Sequence, residues 1–272
     1  MSLVSTEWLD KNHSKVKIID SSWHMPNANR NAYEEYKKEH IKNAIFFDID
    51  KFSNKKTELP HMLPDEKEWE KIVSNLGITN EERIIVYDNS DVLSSCRCWY
   101  TFIFFGHKPN LISILDGGLS KWKKENRETT DKTSNHEKKN YKAKKISQLV
   151  KTKEEIDKNI SEKKFQVVDA RSKNRFLGLE KEPRPGVRSG SIKNSYCLPF
   201  GELINPEDKT FLEKNLIKEK FAKIGINKEN NVVFSCGSGI TAAVLSLAYS
   251  MINDKYLPKI YDGSWAEYGL TK

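Results

Sequence analysis

The sequence predicts an α/β fold made twice over: two tandem domains, each a mostly parallel sheet flanked by helices. Three observations predict it. Short β-branched runs lead into an Asp, Asp20 within 16–20 and Asp169 within 166–170, as buried strands do. Such runs alternate with stretches of helical spacing, which builds βαβ units. The second half also answers the first, element by element and in order.

The strand-ending Asp20 is matched by Asp169, 149 residues later. Next, Glu39-His40-Ile41-Lys42-Asn43-Ala44 is matched by Gly190-Ser191-Ile192-Lys193-Asn194-Ser195, at a separation of 151 from His40 to Ser191. The strand-like 83–88 corresponds to 231–236, which sets Asp88 against Cys236 at a separation of 148. Finally Leu115-Asp116-Gly117-Gly118 corresponds to Tyr261-Asp262-Gly263-Ser264, a separation of 146 between the aspartates. Helical spacing occurs at 66–76, 153–160 and 241–253. The aromatic-rich 99–105 reads as a core helix that buries Cys96 and Cys98, and Cys197 also reads as buried. Residues 125–144 are polar and charged and read as a linker between domains at 1–124 and 145–272.

Composition narrows the function classes. With 37% hydrophobic and 10% aromatic residues in 272, the chain has material for a core. It has no apolar run near the ~20 residues that span a bilayer, so no membrane association is expected. Its first residues lack a basic and then apolar leader, which predicts a cytoplasmic protein. Four cysteines in a chain this long make no disulfide scaffold, and their spacing suggests no metal site. The net charge is +8, carried mainly by Lys, and reads as a solvated surface; no nucleic-acid motif is present. Only eight cations are Arg, yet four of them fall at 171, 175, 184 and 188. Arg binds carboxylates in a bidentate way that Lys does not.

The chemistry converges on Cys236. A strand runs into Cys236-Gly237-Ser238-Gly239-Ile240-Thr241-Ala242, and a helix follows. Open α/β sheets place ligands at such strand ends. Gly237 and Gly239 let backbone N–H groups converge, and the helix dipole adds positive potential. Both features favour a thiolate and an anionic substrate. A phosphatase loop would need an Arg six residues beyond the Cys, and position 242 is Ala.

This loop resembles that of two-domain rhodanese-type sulfurtransferases, and is closest to the 3-mercaptopyruvate branch, whose loop reads C-G-S-G-[VI]-T-A. The thiosulfate branch carries basic residues where this chain has Gly237 and Ser238. The resemblance covers nearly the whole chain, including its terminal Tyr-Asp-Gly-Ser-Trp. It departs at the family's H-I-P-G-A element, where turn residues Lys42 and Asn43 stand. It implies two tandem rhodanese-like domains, with the first, bearing Asp88, non-catalytic. Arg175 and Arg184 match the family's substrate-binding arginines, while Arg171 reads as a structural partner of the preceding Asp. The resemblance also implies that Gly237, Gly239, Ile240 and Thr241 line the substrate. An Asp50–His61–Ser238 proton relay across the two halves is implied too. The implied reaction moves sulfur from 3-mercaptopyruvate through a Cys236 persulfide to a thiol such as thioredoxin, or to cyanide, with no cofactor. The alternatives are a thiosulfate sulfurtransferase and a non-catalytic binding module.

Overall fold

The structure, a computed structural model, describes residues 2–271. The chain forms two compact units. The first gathers residues up to Asn54, Leu63–Ile146 and Pro206–Thr210; the second holds Lys55–Met62, Ser147–Asn205 and Phe211 onward.

The first unit contains β1 (Leu3–Val4), β2 (Lys17–Asp20), β3 (His40–Ile41), β4 (Ala44–Phe46), β5 (Ile84–Tyr87), β6 (Ile112–Leu115) and β7 (Thr129–Thr130). Five of these strands form a parallel sheet in the order β1-β6-β5-β2-β4. The second unit contains β8 (Val150–Lys151), β9 (Gln166–Asp169), β10 (Tyr196–Cys197), β11 (Val232–Ser235) and β12 (Ile260–Tyr261). Read from its other edge, that parallel sheet runs β8-β12-β11-β9-β10. Counted along the chain, both sheets are wound in the same order, first, fifth, fourth, second, third. The repeat in sequence is therefore a repeat in topology. Register carries it to single residues: Asp20 pairs with Tyr87, and Asp169 with Ser235, one residue short of Asp88 and Cys236.

The central strands β5 and β11 are buried along their full length, as parallel strands covered on both faces are. Every residue of the helix Ser95–Phe104 is buried, so Cys96 and Cys98 are core thiols whose ionisation burial pushes upward. The predicted helices form at Glu66–Asn75, Lys153–Glu162 and Ile240–Ile252. Asp65 caps the first of these, and Thr152 with Glu155 closes a capping box on the second. The turns after His40 and Ser191 put Asn43 at φ +64° and Asn194 at φ +63°. Asn is the side chain that best tolerates this left-handed region, which explains how the repeats turn there without Gly.

Two features differ from the sequence reading. Residues 125–144 run along the first unit: β7 pairs antiparallel with β3, Tyr141 is buried and stacks on His107, and Lys144 donates to the Phe105 carbonyl. Backbone pairing and one aromatic anchor hold a segment whose composition is that of a linker. Cys197 is only half-buried, because β10 is the edge strand of its sheet. Partial burial, with Asp169 nearby, still pushes its thiol up to about 11. Among the described residues, no helix is long and apolar enough to cross a membrane.

Candidate active site

The site lies in the second unit. β11 ends at Ser235, and after four intervening residues the helix Ile240–Ile252 begins. Gly239 makes this tight exit possible by taking φ +81° as the helix N-cap. The turn aims the Gly239 N–H at Cys236 Sγ, 3.1 Å away. Cys236 itself is 2% exposed.

The C-terminal segment holds the loop from its other side. Ser264 Oγ accepts the Cys236 N–H at 3.2 Å and donates to the Tyr261 carbonyl at 2.8 Å. The carbonyls of Cys236 and Gly237 accept from Trp265 N–H and Ala266 N–H, at 2.9 and 2.8 Å. Ser264 makes these bonds from φ +49°, a conformation costly for a residue with a side chain.

Two guanidinium groups face the loop. Arg175 stands on the short helix Lys173–Phe176, capped by Ser172. Its Nη2 and Nε donate to Glu182, at 2.5 and 3.2 Å. The side chain of Glu182 is 2% exposed and also accepts from Arg171 Nη1 at 2.7 Å. Arg171 in turn grips Asp169 with Nη2 at 2.7 Å and Nε at 3.0 Å. Burial alone would lower the Arg171 ionisation, but the two carboxylates more than offset that and raise it. Arg184 Nη2 donates to Ser238 Oγ at 3.3 Å. Burial pulls the Arg184 guanidinium below its ordinary value, against the opposing pull of Cys236. A Cβ on Gly237 would lie 3.3 Å from Arg175 Nη2 and 3.5 Å from Arg184 Nη1, so the missing side chain makes room for both cations.

His61 belongs to the same unit, through Lys55–Met62. Its Nδ1 lies 2.9 Å from Ser238 Oγ, and it is buried at φ +60°. The arrangement joins a sulfur held by an amide donor, two cations over the loop and a hydroxyl touching an imidazole. It suits nucleophilic chemistry on a small anion.

Residues 5–125 and 152–270 each match the rhodanese-like domain. The chain belongs to the rhodanese-like family. It is 36% identical to the thiosulfate/3-mercaptopyruvate sulfurtransferase 1, mitochondrial, of Arabidopsis thaliana, over 98% of this chain and 75% of that one. Identity to the 3-mercaptopyruvate sulfurtransferase of Mus musculus is 35%, over 98% of this chain and 91% of the mouse chain. The crystal structure of the 3-mercaptopyruvate sulfotransferase SseA from Escherichia coli matches with a TM-score of 0.87 at 29% identity, over 97% of this chain and 99% of that chain.

The first rhodanese-like domain uses its matching strand end differently. Asp88 accepts the N–H of Ser90 and of Ser95, both at 2.8 Å, and so caps the helix Ser95–Phe104 with its own carboxylate. Seven positions separate Asp88 from that helix, against four after Cys236. Burial pushes the Asp88 carboxyl above the usual range. Gly118, at φ +56°, stands where the second domain has Ser264, and a Cβ there would come within 2.5 Å of the Asp88 carbonyl.

Of the residues expected at the site, Cys236, Gly237, Ser238, Gly239, Arg175, Arg184 and His61 meet in the second unit. Ile240 and Thr241 open its helix, with Ile240 buried. Asp50 lies in the first unit, where it accepts Trp23 Nε1 at 2.9 Å. Glu182 and Ser264 were missed as site residues. The signal for Glu182 was the crowding of four Arg among few carboxylates; for Ser264 it was the repeated Asp-Gly-Gly/Ser turn.

Proposed function

We propose that this chain is a sulfurtransferase that takes sulfur from 3-mercaptopyruvate onto Cys236 and passes it to a thiol acceptor or to cyanide. The contact of Cys236 Sγ with the Gly239 N–H, beneath Arg175 and Arg184, carries the reading. The Cys236 thiolate attacks the substrate sulfur, the carbon–sulfur bond breaks, and its electron pair leaves on pyruvate enolate. Cys236 is then a persulfide, and the enolate takes a proton to become pyruvate.

Arg175 and Arg184 suit the planar carboxylate and neighbouring carbonyl of a 2-oxo acid. The Gly239 N–H serves negative charge on sulfur. Ser238 accepts from Arg184, which leaves its hydrogen for the enolate, and a proton carried on His61 Nδ1 then replaces it. The acceptor thiolate attacks the outer sulfur, the S–S bond breaks, and Cys236 returns as thiolate.

The test mixes the protein with 3-mercaptopyruvate and, separately, thiosulfate, and follows pyruvate or sulfite with a thiol present. Pyruvate release with one added sulfur on Cys236 supports the reading. A preference for thiosulfate replaces the donor, and no added sulfur from either donor overturns the activity. Cys236→Ser is expected to abolish turnover and leave the fold intact.

A further inference from the structure

We infer that the exposed run 177–181 is a docking surface for a protein acceptor whose accessible thiol sits among apolar and acidic residues. The inference rests on the persulfide chemistry proposed above. Five consecutive residues are exposed here, Leu177, Gly178, Leu179, Glu180 and Lys181. Leu177 is 63% and Leu179 75% exposed, the two highest values among the exposed large hydrophobic residues described. Exposed leucines scattered singly need no explanation. These two are paired, on the segment that carries Arg175 at one end and Arg184 at the other.

Geometry gives the pair a purpose. Cys236 is nearly buried, while the Arg175 side chain beside it keeps 18% of its surface exposed. The run continues directly from the helix that presents Arg175. It is held in shape at its base, where the Ser189 hydroxyl donates to the Glu180 carbonyl at 3.1 Å and Leu179 N–H to the Asn174 carbonyl at 2.9 Å. A cyanide ion or small thiol needs no such platform, whereas a protein thiol must be oriented over the sulfur.

Charge selects the partner. With the buried Arg171–Glu182 pair set aside, residues 171–188 hold five cations and one carboxylate, a net of +4, half the +8 of the whole chain. An acceptor with acidic groups around an apolar rim complements that surface. On transfer, the partner's thiolate takes the outer sulfur and the S–S electron pair returns to Cys236, so no further oxidant or reductant is required.

Reduced thioredoxin serves as the protein probe and 2-mercaptoethanol as the small one, after intact mass confirms that the wild type loads sulfur. The Leu177→Ser/Leu179→Ser variant is expected to raise KM for thioredoxin by about 10-fold. Its rate with 2-mercaptoethanol should stay within about twofold, since neither leucine touches the reacting groups. Lys181→Glu, which alters no apolar side chain, should lower kcat/KM for thioredoxin alone, and added salt should reproduce that loss in the wild type. An unchanged thioredoxin KM in both variants, in an enzyme that loads sulfur, overturns the docking surface and spares the activity. Failure to load sulfur overturns both.

Discussion

Arg175 gives one edge of its guanidinium to Glu182, with Nη2 at 2.5 Å and Nε at 3.2 Å. The cation facing the Cys236 loop is therefore aimed by a buried carboxylate. Glu182→Gln keeps the shape and removes the charge. Expected are a rise of about 10-fold in KM for 3-mercaptopyruvate, a smaller change in kcat, and a stability loss of about 1–3 kcal/mol. Michaelis curves and a thermal melt on one preparation check both. An unchanged KM would show that Arg175 needs no such aim.

Ser238 and His61 are expected to act as one unit. Each of Ser238→Ala and His61→Ala should lower kcat about 10²-fold, within the range of a lost proton-transfer group. The double variant should be scarcely worse than either single one. Multiplying losses in a double-mutant cycle would mean that the 2.9 Å contact carries no shared step.

Ser264 combines strain with two hydrogen bonds, and two substitutions separate them. Ser264→Ala loses both bonds and keeps φ +49°, for an expected stability loss of about 2–3 kcal/mol; Ser264→Gly relieves the strain and should lose about 1 kcal/mol less. Both should slow persulfide formation alike, because each frees the Cys236 N–H. Stopped-flow pyruvate release reads that rate, and a normal rate in either variant would remove Ser264 from the positioning of Cys236.

Asp20 predicts a pH dependence of folding. Burial holds its carboxyl at about 6, against 3.8 for the ordinary group. Between those values the folded chain binds more protons than the unfolded one, so this contribution to stability falls as pH rises from about 4 to 6. Asp20→Asn keeps an acceptor for Ser22 N–H and Oγ–H and has no such proton to lose. The wild type should therefore lose about 2–3 kcal/mol relative to Asp20→Asn between pH 4 and pH 7. Parallel melts across that range test it, and parallel pH profiles would refute it.

The second domain shows why Asp20 is the exposed weakness. Its counterpart Asp169 is answered by Arg171, at the offset where the first domain has Ser22. Such local pairings were legible in the sequence: a strand-ending Asp, a cation two residues on, a Cys loop between strand and helix. The repeat gave both sheets. The rest depended on contacts between residues far apart along the chain. Ser264 reaches back 28 residues to Cys236, and His61 meets Ser238 across 177. No local periodicity encodes either; the family resemblance implied the second and not the first. Nor does composition reveal that 125–144 is threaded along the first unit by Tyr141 and two strand residues.

The two identically wound sheets also bear on ancestry. Placing a thiol at position 88 would take one codon. It would stand before a loop three residues longer, facing a helix end that the carboxylate now caps. At the offset that pairs Asp20 with Asp169, the first copy has Ser22, Pro26 and Glu35 where the second has Arg171, Arg175 and Arg184. Building the same chemistry there would demand changes at all of these positions. The two copies thus share a winding and a strand-end position, while the groups that make that position reactive belong to the second copy alone.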